Sequence, residues 1–228
     1  MPFLNAAPLP AEGKIAAALL AFFAMELFLY LYLDSRWRGA LWAKAGATLM
    51  PVLLCLTGAA GKAASAPGQA GNIWLVFAAL CVCLVSDVLI NLHFLSGVVS
   101  FLAAHLLLIA YLVQAAPPTP WSLPLWAALY GAVLCHYWEY LPVLGNRKVP
   151  LFLYPAALMA MASLALALPF LRPGQASVCL AAGAACFSVS DLILADGIVR
   201  GKKSSRRDHW VMHLYEPAVY LIALSTVF

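Results

Sequence analysis

Long apolar stretches joined by short connections constrain the fold of this 228-residue chain more than any other feature. A helix that crosses a membrane needs about 20 mostly apolar residues. Eight stretches qualify, at about 15–33, 40–60, 73–92, 96–115, 121–140, 150–170, 176–195 and 209–227. Only 10% of the residues are charged, against roughly 25% in a soluble domain. The sequence therefore predicts an all-α polytopic membrane protein with eight transmembrane helices.

A six-residue motif occurs twice and indicates an internal repeat. Val-Ser-Asp-Val-Leu-Ile begins at Val85, and Val-Ser-Asp-Leu-Ile-Leu begins at Val189, 104 residues later. The span before each motif carries a proline at the same spacing. An offset of four spans preserves the direction of the chain through the membrane. We predict one transmembrane domain built from two parallel four-helix repeats, about 15–115 and 121–228, with spans 3 and 7 facing each other.

Each copy of the motif places a carboxylate, Asp87 or Asp191, inside an apolar span. A charged side chain there costs about 2.5–3.5 kcal/mol on insertion scales and marks a functional site by default. The structural alternative is a hydrogen bond that holds helices together. Ser86 and Ser190 precede the two carboxylates. They either belong to the site or are small residues that allow close helix packing.

Basic residues predict the orientation, because loops on the cytoplasmic side carry an excess of Lys and Arg. Three basic residues lie on one side of the membrane, at Lys14, Lys62 and Arg172. Nine follow spans 1, 3, 5 and 7: Arg36, Arg38, Arg147, Lys148, Arg200, Lys202, Lys203, Arg206 and Arg207. We expect the odd-numbered loops in the cytoplasm, both termini on the other side, and a polar cavity open to the cytoplasmic leaflet. Basic residues confined to short loops do not predict a nucleic-acid partner.

Several other polar side chains are expected near the two carboxylates. His105 is either a buried core residue or part of the site. Tyr154 and Tyr215 either orient a carboxyl or phosphate group or anchor the helices at the interface. Lys44 either neutralises an Asp, binds a headgroup phosphate, or extends its amine to the interface.

The remaining candidates lie near the ends of spans or have no evident partner. His213 and Glu216 begin span 8, and we expect Glu216 close to the interface, where it is either solvated or in contact with substrate. Glu26 lies within span 1, with no partner that the sequence identifies. The six cysteines lie in apolar segments without metal-ligand spacing, so we predict neither a metal site nor a disulfide framework.

The order of these residues resembles the lysoplasmalogenase-like (YhhN) membrane family. The resemblance rests on Phe101-x3-His105-Leu-Leu, Pro150-x3-Tyr154, Phe187-x2-Ser190-Asp191 and Tyr215. It implies hydrolysis of the vinyl ether bond of a lysoplasmalogen to a fatty aldehyde and glycerophospho-ethanolamine or -choline, without a metal or other cofactor. It also implies catalytic roles for Asp87, Asp191 and His105, and site positions for Tyr154 and Tyr215.

The chain departs from the family pattern at three positions. Ser86 precedes the first Asp where the family often has Gly. Thr48 stands where the family has a Lys, and Lys44 lies one helical turn earlier on the same face. Val219 stands where span 8 usually has a polar residue.

The chemistry implied by the resemblance suits paired carboxyl groups. Vinyl ether hydrolysis needs an acid that protonates carbon and an anion that stabilises the resulting cation. Two close carboxyls in a low dielectric cannot easily both ionise, so one keeps its proton. In this scheme His105 and Tyr154 orient water or the ether oxygen, and Lys44 holds the phosphate of a lysophospholipid drawn from the bilayer of a bacterial inner membrane or endoplasmic reticulum.

Two other classes of protein fit the same sequence. Tandem repeats with intramembrane Asp and His also occur in proton-coupled transporters. A lipid-binding protein that has kept this fold and lost the activity is the other alternative.

Overall fold

The structure is a computed structural model that describes residues 10–34, 36, 40–65, 70–140, 148–201 and 204–228. These ranges contain eight α-helices. They are α1 (Ala11–Leu33), α2 (Leu41–Ser65), α3 (Ala70–Leu92), α4 (Phe94–Ala115), α5 (Ser122–Tyr137), α6 (Lys148–Leu171), α7 (Gln175–Val199) and α8 (Ser205–Leu224). The predicted all-helical architecture is confirmed. Arg38, Arg147, Lys202 and Lys203, which contribute to the expected orientation, lie outside the described residues.

Six of the eight helices in these ranges are long and apolar enough to cross a membrane: α1, α2, α3, α4, α6 and α7. The other two expected spans differ for separate reasons. Helix α5 has 16 residues, fewer than the about 20 that a span needs. Helix α8 has 20 residues but begins with Ser-Arg-Arg-Asp and carries Glu216 further along. Six helices are therefore suited to cross a membrane, and α5 and α8 pack beside them.

Each Asp-bearing helix packs most closely on the helix that follows it, α3 on α4 and α7 on α8. Helix α2 contacts α1, α3 and α8, and α6 contacts α4, α5 and α7. The expectation that spans 3 and 7 face each other is not confirmed, since α3 and α7 are not among the closely packed pairs of the described helices.

Two glycines explain this arrangement. A Cβ atom added at Gly97 in α4 would lie 2.5 Å from the Ile90 Cα of α3. One added at Gly183 in α7 would lie 2.9 Å from the Ala218 carbonyl oxygen of α8. Such contacts are shorter than van der Waals packing allows, so the missing side chains let these backbones approach. These glycines allow each Asp-bearing helix to pack closely against the next helix in the chain.

An aromatic cluster joins three helices beneath the polar residues. Phe101 of α4, Phe187 of α7 and Tyr215 of α8 contact one another edge to face, with ring centroids 5.3–6.1 Å apart. Each such pair is worth about 0.5–1.5 kcal/mol beyond the burial of its area. Because the cluster contains residues from both halves of the chain, it fixes the distance between the side chains that form the site.

We expect Gly97→Ala to destabilise the folded protein by about 1–3 kcal/mol, because the added methyl group meets backbone that cannot rotate away. Gly131→Ala in α5 is the matched control, since a Cβ there has no neighbour within 4 Å and alanine is the better helix former. Thermal unfolding of both variants in detergent measures the difference. A Gly97→Ala protein as stable as the wild type would contradict the close approach of α3 and α4.

Candidate functional site

Asp87 is the centre of a buried polar cluster formed by α2, α3 and α8. Its side chain is 1% exposed. Its Oδ2 accepts hydrogen bonds from the hydroxyls of Thr48, at 2.6 Å, and Tyr215, at 2.7 Å. The Lys44 Nζ lies 3.0 Å from its Oδ1. A buried ion pair needs further hydrogen bonds to the charged groups, and the two hydroxyls supply them at Oδ2, while Lys44 is the partner of Oδ1.

The turn between Lys44 and Thr48 explains why both residues reach one carboxylate. They are four residues apart on α2, so their side chains lie on the same face of the helix. The Lys44 ammonium does not extend to the interface, since its side chain is only 9% exposed. Of the three roles that the sequence leaves open for Lys44, the structure shows neutralisation of an Asp.

Glu216 adds a second carboxyl group to this cluster. Its Oε1 lies 3.4 Å from the Thr48 hydroxyl, and its Oε2 has no hydrogen-bond partner among the described residues. Its side chain is fully buried, so the expectation of a solvated position near the interface is wrong. Glu216 of α8 faces α2, where the Thr48 hydroxyl lies, whereas its neighbour Tyr215 binds Asp87 of α3. Glu26 of α1, whose partner the sequence does not identify, interacts electrostatically with Glu216.

Asp191 occupies a different environment from Asp87. Its Oδ2 accepts a hydrogen bond from the Tyr154 hydroxyl of α6. Asp191 and Tyr154 are both half-buried, and none of the cations whose side chains the structure describes forms an ion pair with Asp191. The Asp191 and Asp87 carboxyls interact electrostatically. The site thus contains one enclosed carboxylate paired with Lys44 and one carboxyl, on a half-buried residue, that accepts a hydrogen bond from Tyr154.

Electrostatic interactions link the Cys83 thiol to carboxyl groups on three helices. It lies one turn before Asp87 and is within electrostatic range of Asp87, Asp191 and Glu216. The sequence does not indicate it as a site residue. The sequence also does not indicate Thr48 as a site residue. Its position one turn after Lys44, in the span that precedes an intramembrane Asp, is the feature that could have identified it.

His105 lies between the aromatic cluster and Tyr154, with 1% of its surface exposed. Its ring centroid is 5.2 Å from that of Tyr154 and 4.9 Å from that of Phe187. Its Nδ1 lies 2.6 Å from the Phe101 carbonyl oxygen. Because a carbonyl only accepts, Nδ1 carries the proton and Nε2 of the neutral ring is an acceptor. That Nε2 is buried without a partner among the described residues.

Three other candidates lie apart from the carboxyl groups. The Ser86 hydroxyl donates to the Val82 carbonyl of its own helix at 2.7 Å. The Ser190 hydroxyl donates to the Val211 carbonyl at 2.9 Å and so joins α7 to α8. His213 lies on an exposed face of α8. Both serine hydroxyls are therefore bonded to backbone carbonyls, and His213 is not brought to the cluster.

Among the described residues, no group of three or more His, Cys, Asp or Glu side chains is arranged to hold a metal ion.

Comparison with known proteins identifies the family to which the chain belongs. None of the curated proteins and none of the solved structures compared with the chain matches it. The sequence profile of the YhhN family matches residues 43–226, which include every helix except α1 and the first residues of α2. The chain belongs to the YhhN family.

Proposed function

We propose that this protein is a lysoplasmalogenase-type hydrolase that cleaves the vinyl ether bond of a lysoplasmalogen to a fatty aldehyde and glycerophospho-ethanolamine or -choline. The observation that carries the proposal is the unequal environment of the two carboxyl groups. Asp87 is enclosed with Lys44 and two hydroxyl donors. Asp191 is half-buried, with a single hydroxyl partner from Tyr154.

The reaction needs an acid and an anion but no nucleophilic serine. A proton adds to the alkenyl carbon that is not bonded to oxygen, and this forms an oxocarbenium ion. Water adds to the cationic carbon and loses a proton to give a hemiacetal. The hemiacetal then collapses to the aldehyde and the glycerol hydroxyl. General acid catalysis is worth about 10²–10⁴-fold, and a carboxylate beside the cation adds electrostatic stabilisation.

We assign the proton donor to Asp191. Two neighbouring carboxyls in a low dielectric cannot easily both ionise. Asp87 has a cation 3.0 Å away and is the ionised member, so Asp191 carries the proton. Asp191 is also the more exposed residue of the two, which favours it as the group that meets the substrate. Once Asp191 has given up the proton, its own carboxylate stabilises the oxocarbenium ion.

His105 is proposed to accept the proton of the attacking water. Its Nε2 is the acceptor atom and is unpartnered among the described residues. Its ring contacts Tyr154, which binds Asp191. Tyr154 thus contacts the proposed acid through its hydroxyl and the proposed base through its ring. This arrangement suits a reaction in which one carbon is protonated and water adds to the carbon next to it. Lys44, committed to Asp87, is not proposed to hold the substrate phosphate.

The hydrolase is proposed to lie in the membrane as two parallel repeats, with its odd-numbered loops in the cytoplasm. Matched helix packing supports the repeat. The hairpin α3–α4 corresponds to α7–α8, and the contact of α4 with α6 corresponds to that of α8 with α2. The distribution of basic residues supports the orientation. A lysophospholipid would then enter from the cytoplasmic leaflet with its chain between helices.

We expect Asp191→Asn and Asp87→Asn each to lower the rate of aldehyde release by at least about 10²-fold, since each variant loses the acid or the charge that keeps the acid protonated. The assay is fatty aldehyde formation from a lysoplasmalogen by the purified protein in detergent. Asp196→Asn is the matched control on α7, because Asp196 lies in a partly exposed cluster with His136 and Arg200.

Aldehyde release by the wild-type protein is the direct test of the hydrolase proposal. If folded, monodisperse wild-type protein releases no aldehyde, the hydrolase proposal fails, and substrate-driven flux in sealed vesicles becomes the measurement for the transporter class. If both Asn variants at the motif remain active while aldehyde is released, the two-carboxyl mechanism is wrong.

We expect Lys44→Gln to lower the free energy of unfolding by about 3–5 kcal/mol, because it leaves the Asp87 charge buried without its cation. The double variant Lys44→Gln with Asp87→Asn should recover much of this loss, since neither charge remains. Thermal unfolding in detergent tests both variants. Equal stability of Lys44→Gln and wild type would show that the ion pair does not form in the folded protein.

A further inference from the structure

A small pocket that contains two lysines lies at the end of α2 opposite to the candidate active site. It has a volume of about 50 Å³ and includes Lys14, from the first turns of α1, and Lys62, from the last turn of α2. Lys62 is 18 residues beyond Lys44, which corresponds to about 27 Å along a helix. The pocket is therefore separate from the Asp87 cluster and close to the other membrane face.

The charges of this pocket are not balanced by the protein. All nine Asp and Glu residues lie within the described ranges, and no ion pair of Lys14 or Lys62 is found there. The ion pairs that the structure shows join Arg36 to Asp34, Lys44 to Asp87, and both His136 and Arg200 to Asp196. The two ammonium groups instead repel each other electrostatically. Two half-buried cations that share one pocket without a carboxylate favour an external anion.

The two lysines supply the hydrogen-bond donors of the pocket, because the hydroxyls that line it already bond to backbone carbonyls. The Thr57 hydroxyl donates to the Leu54 carbonyl at 2.7 Å, and the Ser65 hydroxyl donates to the Gly61 carbonyl at 2.9 Å. Both hydroxyl protons are therefore used within α2. Each ammonium group brings three N–H donors, and an anion with several oxygens can accept from both lysines at once.

Glycines give the pocket its shape. A Cβ at Gly58 would lie 2.7 Å from the Thr226 carbonyl oxygen, so this glycine lets the segment after α8 close one side of the pocket. A Cβ at Gly61 would have no neighbour within 4 Å, so this glycine faces open space. The pocket is thus formed by residues of three separate segments and stays open at Gly61.

We propose that the Lys14–Lys62 pocket binds a phosphate group, as the headgroup of a bilayer phospholipid or as free inorganic phosphate. A tetrahedral anion presents oxygens to both ammonium groups, and lipid phosphates lie at the depth of helix ends in a membrane. Attraction of basic side chains to anionic lipid is worth roughly 1 kcal/mol for each charge. This site does not depend on the proposed hydrolase activity.

The experiment compares the two sources of phosphate on the purified full chain. Native mass spectrometry after reconstitution in nanodiscs of phosphatidylglycerol and phosphatidylcholine measures retained phosphatidylglycerol. Thermal unfolding in detergent with added inorganic phosphate measures binding of the free anion. The variants are Lys14→Gln, Lys62→Gln and Gly61→Leu, of which the last fills the pocket and keeps both charges.

Matched controls separate the pocket from general effects of charge and of glycine replacement. Arg172→Gln removes an exposed basic residue expected on the same membrane side, and Gly131→Leu places leucine at another glycine with open space around it. We expect retention of phosphatidylglycerol to fall about five-fold for each lysine removed and to be lost in Gly61→Leu. Both controls should retain lipid as the wild type does.

Each result bears on the proposal. Loss of phosphatidylglycerol in the three pocket variants assigns the site to a lipid headgroup. Stabilisation by inorganic phosphate that the same variants abolish, without lipid retention, assigns it to the free anion. Binding of neither ligand, or equal binding by Gly61→Leu and wild type, overturns the proposal. If a lysine variant does not fold, Gly61→Leu still decides, because it leaves the charges unchanged.

Discussion

The buried ion pair between Lys44 and Asp87 is the interaction on which the rest of the site depends. It places two full charges in a dry helix bundle, where a lone charge of either sign costs several kcal/mol. Thr48 and Tyr215 complete the coordination of the carboxylate, so α2, α3 and α8 are joined at one point. The pair also gives the two repeated carboxyls different surroundings, since Asp87 is paired with Lys44 and Asp191 accepts a hydrogen bond from Tyr154.

The difference between the two copies of the Asp motif comes from the helix that precedes each one. At the position in α6 that matches Thr48 the chain has Phe152, and at the position that matches Met50 it has Tyr154. Helix α2 therefore supplies a hydroxyl close to its lysine, whereas α6 supplies a single phenol to Asp191. Two nearly identical local sequences thus acquire different chemistry through their neighbours.

Much of the fold and part of the site could be predicted from the sequence. The helices follow from long apolar stretches, and Asp87, Asp191 and His105 are notable because polar groups are costly in such stretches. The burial of Glu216, the exposure of His213 and the role of Thr48 depend on how far each helix is rotated about its axis. The close packing of α3 on α4 and of α7 on α8 depends on contacts at Gly97 and Gly183. Hydropathy specifies neither the rotation of a helix about its axis nor how closely it packs on its neighbour.

The polar character of α8 has a consequence for how the protein is made. Its Arg206, Arg207, Asp208 and Glu216 make it a poor candidate for independent insertion into the bilayer. Helices α2 and α3 leave the ribosome earlier and already carry Lys44, Thr48 and Asp87. These residues offer Tyr215 and Glu216 polar partners on arrival. The nascent chain therefore has a carboxylate and its cation in place before the helix that completes their coordination has been synthesised.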